Sequence, residues 1–418
     1  MPEPHVLIVG GGFGGLYTAR GLRHVDCRIT LVDQHNYHLF QPLLYQVATA
    51  ALNPSDIAAP IRGILRKQKN VSVVLGEATA IDVERKRVQL SDGELAYDFL
   101  VVATGATHSY FNHPEWEHDA PGLKTIDDAL EIRRRVLLAF EAAERETDPV
   151  AQAAWLTFVV IGAGPTGAEM AGALTEIARH TMVRNFRRIR PDAARVILLE
   201  GKDRVLPPYP PDLSAKAQKQ LEELGVEVIT NAIVTNVSAT EVCIGDRTIP
   251  TRTVIWGAGV QASPLARTLG VPLDRAGRVL VNPDLTIPGH PEVFVIGDLA
   301  AVKQPNGTFV PGVAPAAIQE GQHMGLNLER AVAGQPLRPF RYKDKGSLAT
   351  IGRAAAVADF GKFKLSGFLA WFAWLAIHIF FLIGFRNRFL VITQWAWAYL
   401  TYQRGARLIT GPVHKVLD

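Results

Sequence analysis

The chain has 418 residues, 48% hydrophobic and 20% charged, with a formal net charge of +4. This length suits two or three domains whose cores need no covalent support, and the composition excludes a disordered chain. Only Cys27 and Cys243 occur, which excludes a disulfide framework, a four-cysteine zinc site, a cysteine-ligated iron–sulfur cluster and a CxxC or CxxxxC redox pair; no dense basic stripe points to nucleic acid.

In chain order, residues 6–9 form a short continuous apolar run, the pattern of a strand buried in a parallel sheet. No basic, cleavable leader precedes it, so the body of the protein is expected on the cytoplasmic side, where it is made. A glycine-rich turn follows: Gly10, Gly11, Gly12, Phe13, Gly14, Gly15. Then come a helical stretch over 16–23 and a strand over 28–32 that ends in Asp33. Residues 71–90 alternate polar and apolar side chains and predict antiparallel strands. Another apolar run reaches a small-residue turn at Ala103, Thr104 and Gly105.

The series then returns. Strand 157–161 leads into Gly162, Ala163, Gly164, Pro165, Thr166 and Gly167, a helix to about Arg179, and a strand over 195–199 ending in Glu200. Antiparallel strands within 226–250 follow, then a second small-residue turn at Gly257, Ala258 and Gly259. Gly10 to Gly105 spans 95 residues and Gly162 to Gly259 spans 97. Near-equal spacing predicts two similar nucleotide-binding units, one inserted into or appended to the other. A last buried strand, 293–296, runs into Gly297 and Asp298.

A dinucleotide pyrophosphate needs backbone N–H donors, a helix N-terminus aimed at it, and no side chains in the way. Gly10, Gly12 and Gly15 offer that arrangement, as do Gly162, Gly164 and Gly167. The acid closing the next strand accepts from ribose hydroxyls; Asp33 lies 23 residues after Gly10, and Glu200 lies 38 after Gly162, with a basic stretch at 184–190 between. A bare strand-to-helix turn also uses glycine, but strand, loop, helix and acid in order, twice, favour the dinucleotide reading. Glu200 disfavours a 2′-phosphate by charge, so NADH is expected over NADPH, a preference that Lys202 and Arg204 soften. Asp298, arriving late, suits a flavin ribityl hydroxyl beside the first loop, which places FAD on the first unit and NADH on the second.

Beyond residue 340 the character changes. Residues 341–418 hold eleven Lys and Arg against three Asp, a net of +8, which leaves the rest of the chain at −4. Residues 367–385 carry one ionisable group, His378, too isolated for a metal site, so no metal is expected. Trp371, Trp374, Trp395 and Trp397, four of the seven tryptophans, crowd here with Tyr399 and Tyr402. Basic charge beside large aromatics suits an anionic headgroup layer. By length 367–385 could span a bilayer, but Trp371 and Trp374 sit inside the run, where membrane belts do not place them. An interfacial anchor over 366–410 is favoured over a spanning helix or a buried dimer helix.

The expected fold class is α/β: two Rossmann-like dinucleotide-binding domains plus a C-terminal membrane-associating helical segment. The expected division is 1–120 with 285–340 for FAD, 121–284 for NADH, and 341–418 for anchoring or dimerisation.

Several stretches carry a family resemblance: Asn36, Tyr37, His38, Leu39, Phe40, Gln41, Pro42 and on through Thr49; Gly162 to Glu169; Gly297, Asp298, Leu299 and Ala300; Gly346 to Gly352; and the aromatic C-terminal stretch. With them the chain resembles the type II NADH:quinone oxidoreductases, single-subunit, non-proton-pumping respiratory dehydrogenases among the two-dinucleotide-domain flavoproteins. The resemblance implies a non-covalent FAD held by Gly10, Gly12, Phe13, Gly14, Gly15, Asp33, Ala78, Thr104, Gly105, Asp298 and Ala317, with its ring roofed by the 36–49 segment, including Gln41 and Thr49. NADH would lie on Gly162, Gly164, Pro165, Gly167, Glu200 and Gly259. A quinone-site signature, Ala-Gln-x-Ala-x-Gln, matches Ala314 to Gln319, except that Pro315 replaces the first glutamine and can donate no hydrogen bond. Quinone binding must then lean on Gln319, backbone amides and apolar walls.

Glu169 stands two residues after Gly167. A carboxylate in a first helical turn can simply favour the dipole, but beside an anion site it also repels the ligand. The family places this position at the nicotinamide–flavin junction, so Glu169 is expected to act with Gln319 in catalysis. His35 and His38 are expected to be packing or surface residues. The implied cycle passes a hydride from NADH to FAD and two electrons onward to a membrane quinone, without proton pumping. A soluble-type reductase serving a protein partner, a sulfide:quinone oxidoreductase lacking its cysteines, and a non-catalytic NADH-binding protein are the alternatives, and a homodimer is compatible with each.

Overall fold

The computed structural model describes residues 3–401 and 404–410, so Tyr402 and 411–418 of the expected C-terminal segment lie outside the described residues. The chain divides into two compact units: 1–39 with 58–108 and 260–345, and 40–57 with 109–259 and 346–418.

The first unit is built on a six-stranded sheet in the order Thr286–Ile287, His290–Val295, Phe99–Val102, His5–Val9, Arg28–Asp33, Val71–Leu75. All neighbours are parallel except the first pair. Residues 5–9 are buried throughout, because helices cover both faces of a parallel sheet and leave no polar side. Helices Phe13–Gly21 and Ala314–Val332 pack together where Gly21 meets Gly325 and Gly14 meets Gly321; no Cβ fits at either crossing. A small antiparallel sheet, Ala78–Asp82, Arg87–Leu90 and Gly93–Ala96, completes this unit.

The second unit repeats the scheme with four parallel strands, Val226–Ile229, Arg195–Leu199, Thr157–Ile161 and Thr253–Trp256. Its own antiparallel trio is Val234–Val237, Glu241–Ile244 and Arg247–Pro250. The alternating stretches were thus half antiparallel. Residues 71–75 and 226–229 are instead edge strands of the parallel sheets, and an edge strand half-open to solvent alternates just as a hairpin strand does.

The division differs from expectation. Segments 40–57 and 109–120 group with the second unit and 260–284 with the first. Residues 346–418 group with the second unit: the sheet Ser347–Gly352, Ala355–Asp359 and Lys364–Ser366 lies against helix Pro165–Glu176, whose Gly172 meets the Ile351 carbonyl with no room for a side chain. The apolar run 367–385 breaks into helices Phe368–Phe381 and Phe385–Thr401 at Gly384, which has φ +93°. Arg388 closes the first helix by donating to the Phe380 and Leu382 carbonyls at 2.8 and 2.7 Å, the favourable place for a cation. Fourteen residues reach only ~21 Å of a ~30 Å hydrocarbon layer, and no described helix is long and apolar enough to cross a membrane.

Candidate active site

Both glycine loops are bare where an anion would lie. Gly10 leaves its strand at φ +107°, its Cβ position blocked by the Ala103 carbonyl, and Gly15 sits directly on the Gly10 carbonyl. Gly12, just before helix Phe13–Gly21, faces open space, so the first helical N–H groups stay uncapped by any side chain and available to a phosphate. The second loop matches residue for residue. Gly162 has φ +95°, Gly167 abuts the Gly162 carbonyl, Gly164 faces open space, and Pro165 supplies the fixed φ of a first helical position.

The acids do the same work in both units. Asp33 accepts from Gly11 N at 2.5 Å and from His35 N at 2.7 Å, while Glu200 accepts from Ala163 N at 2.8 Å and from Lys202 N at 2.9 Å. Each carboxylate therefore ties its strand end to the middle of its own loop and keeps lone pairs for ribose hydroxyls. Replacing Glu200 with Ser is expected to narrow the NADH-over-NADPH preference in kcat/KM by about tenfold, because one repelling charge disappears; steady-state rates with both nucleotides check it.

The remaining expected flavin contacts in the first unit are in place to varying degrees. Asp298 lies in the turn Gly297–Leu299, and its carboxylate carries no hydrogen bond among the described residues. The Thr104 hydroxyl is buried without a partner, Gly105 is open at φ +68°, and Ala317 packs near Gly297. Ala78 opens the small antiparallel sheet. These uncommitted polar groups around a bare glycine loop fit a dinucleotide such as FAD. His38 is buried and packs here: its Nδ1–H donates to the Gly11 carbonyl at 2.9 Å and its ring meets Phe13 edge-on. Gln41 and Thr49 fold with the second unit, and the Thr49 hydroxyl is already donated to the Tyr45 carbonyl.

Glu169 lies in the second unit, in helix Pro165–Glu176. Although part of its surface stays open, burial pushes its carboxyl up to about 8, opposed by a Thr350 backbone hydrogen bond. The Trp374 indole N–H turns toward the same carboxyl without completing a well-aligned bond. Tyr45 and Tyr209, both buried, are held in their neutral forms by burial first and by the Glu169 charge second. Gln46 joins this pocket to the last helix: its Nε2 donates to the Tyr45 hydroxyl at 2.9 Å, and its Oε1 accepts from Trp395 Nε1 at 2.7 Å. His378 stacks on Trp374 with centroids 4.2 Å apart, donates Nδ1–H to the Trp374 carbonyl, and is held neutral by burial, its pKa lowered to about 4. Further on, Arg404 bonds the Thr49 carbonyl and Glu176 at 2.9 and 2.8 Å.

A family model described as "Pyridine nucleotide-disulphide oxidoreductase" matches residues 4–321, and one described as "NDH2 C-terminal domain" matches 345–402. Type II NADH:quinone oxidoreductase NdhA of Mycobacterium tuberculosis is 48% identical over 97% of this chain and 89% of its own. The chain belongs to the type II NADH:quinone oxidoreductases. Its second relative in the same organism, Ndh, is 46% identical over 98% of this chain and 91% of its own. The solved NDH2 of Plasmodium falciparum, in complex with NADH, superposes with a TM-score of 0.88 over 98% of this chain at 20% identity, a likeness of fold. Despite the first family's name, Cys27 and Cys243 are free thiols, and burial raises the Cys27 pKa to about 11, so Cys27 is not a nucleophile at neutral pH.

Gln319 is half-buried, and its amide is anchored to backbone: Nε2 donates to the Lys343 carbonyl at 2.9 Å and Oε1 accepts from Lys343 N at 3.0 Å. It fastens residues 341–345 to helix Ala314–Val332 and keeps one N–H and one lone pair beyond these bonds. Sequence reasoning passed over its neighbour Glu320; it placed Tyr45 and Gln46 only within the 36–49 stretch and read Trp395 as part of the anchor, not of this pocket.

Proposed function

We propose that Glu169 is the proton-bearing group of this FAD-dependent NADH:quinone oxidoreductase, working in a pocket closed by Trp374 and Tyr45. FAD, when bound, supplies the two-electron relay between NADH and quinone. The protein supplies the rest. Gly10, Gly12 and Gly15 with Asp33 hold FAD; Gly162, Gly164 and Gly167 with Glu200 hold NADH. The observation that carries the reading is a carboxyl on the helix whose N-terminus would meet the nucleotide, faced by Trp374 of the first tail helix and pushed by burial up to about 8. Reducing a quinone consumes two protons, and a neutral carboxyl can give one from its Oε atom where a carboxylate cannot. Bleaching of the bound flavin by NADH, followed by reoxidation with a short-chain quinone, tests the cycle; bleaching without quinone-dependent reoxidation counts for a soluble-type reductase.

The tail helices are the candidate membrane surface, with the catalytic units on the cytoplasmic side. Phe368, Leu369, Phe372 and Phe380 on the first helix, and Phe389 and Leu400 on the second, are 55–78% exposed. Arg386 beside them matches an anionic leaflet. Phe372→Ser with Phe380→Ser is expected to weaken binding to anionic liposomes about 100-fold, since each ring forfeits ~1.5–3 kcal/mol of transfer; flotation measures it, and equal flotation of variant and wild type sinks the assignment. Part of the same face suits a second copy of the chain, which sedimentation in detergent would reveal.

A further inference from the structure

The strongest unexplained group outside the Glu169 pocket is Glu320. It is 2% exposed in the first unit, on helix Ala314–Val332, and accepts from Gly297 N at 2.5 Å. Gly297 opens the turn that carries Asp298 and has φ +72°, a left-handed conformation open to glycine. The next residue, Gly321, presses on the Gly14 carbonyl so closely that no Cβ fits, and Gly14 belongs to the first glycine loop. Two consecutive residues of one helix therefore grip the two stretches assigned to neighbouring parts of FAD, the pyrophosphate loop and the Asp298 turn beside the ribityl chain. The second oxygen of Glu320 has no protein partner among the described residues.

We propose that Glu320 is a cofactor-positioning residue, holding the Gly297–Leu299 turn in register with the glycine loop. The groups facing it are Asp298 on the turn and Tyr342 on the following segment; neither is a cation that would favour its charge. Burial first, then the Asp298 charge, pushes its carboxyl up to about 8, against the Gly297 N–H that lowers it. Bound FAD brings a further anionic pyrophosphate and removes water, both of which favour the neutral carboxyl more strongly still. Linkage fixes the sign: FAD affinity is level below about pH 8 and falls as pH rises through the value of the free site, by up to about tenfold per pH unit.

The experiment follows FAD release from the diluted holoenzyme by flavin fluorescence, without NADH or quinone, so it stands apart from the assignment of Glu169. In wild type the dissociation constant should climb between about pH 8 and 9.5, whereas Glu320→Gln, which keeps the Gly297 acceptor and cannot ionise, should stay level and retain FAD at pH 7. Glu320→Ala, with no acceptor, should hold FAD about tenfold less tightly at every pH. A wild-type profile that Glu320→Gln reproduces, or a Glu320→Gln protein that loses FAD at pH 7 as Glu320→Ala does, overturns the proposal.

Discussion

Glu169→Gln should lower the steady-state rate of NADH oxidation with a short-chain quinone by about 100-fold at pH 7, the scale of a lost general acid. Its pH profile should also change shape. Wild-type rate is expected to fall as pH rises through about 8, where Glu169 gives up its proton, while the variant runs level from about pH 6.5 to 9.5. The same substitution should stabilise the protein. An acid whose pKa is raised by folding keeps a proton that the unfolded chain releases above about 4.5, so its burial subtracts stability progressively from that pH up to about 8. Glutamine carries no such penalty. Urea unfolding should show the variant about 1–3 kcal/mol more stable at pH 7.5, with the gap closing near pH 4.5. A variant that is both slow and unstable would mean that Glu169 serves packing and not proton transfer.

What could be read from the chain alone follows from how local each signal is. A glycine loop, a helix start and a strand-end acid lie within forty residues and are constrained by one backbone geometry, so both cradles were legible, and the structure returns the same two hydrogen bonds at Asp33 and Glu200. Trp371 and Trp374 stand inside the apolar run, out of place for a spanning helix. Trp374 is buried toward Glu169, and Trp395 on the next helix reaches Gln46, so these two rings line the pocket.

The illegible parts depend on partners far apart in sequence. Gln46 and Trp395 stand 349 positions apart, and nothing in either neighbourhood names the other. Segment 40–57 reads as the continuation of the first unit, yet Arg404 bonds the Thr49 carbonyl and Trp395 bonds Gln46, which ties it to the tail. Gln319 and Glu320 show the finest limit. Adjacent positions on a helix point about 100° apart, so one fastens Lys343 and the other Gly297, and a motif match could not tell which side chain faces the flavin turn.

Two glycines of the second loop should fail for opposite reasons. An alanine methyl at Gly167 would collide with the Gly162 carbonyl, so Gly167→Ala must push the loop away from the helix and should raise KM for NADH more than tenfold with some loss of stability. Gly164 has nothing within 4 Å of its Cβ position, so Gly164→Ala should fold and melt as wild type does. Its methyl nevertheless enters the space that the pyrophosphate must occupy above the helix N-terminus, and KM should rise by about the same factor. FAD content, which depends on the other cradle, should be unchanged in both. Isothermal titration with NADH alongside thermal melting separates the two causes. If Gly164→Ala binds NADH as tightly as wild type, the open space above it is not where the nucleotide lies, and the second loop is only a tight turn between a strand and a helix.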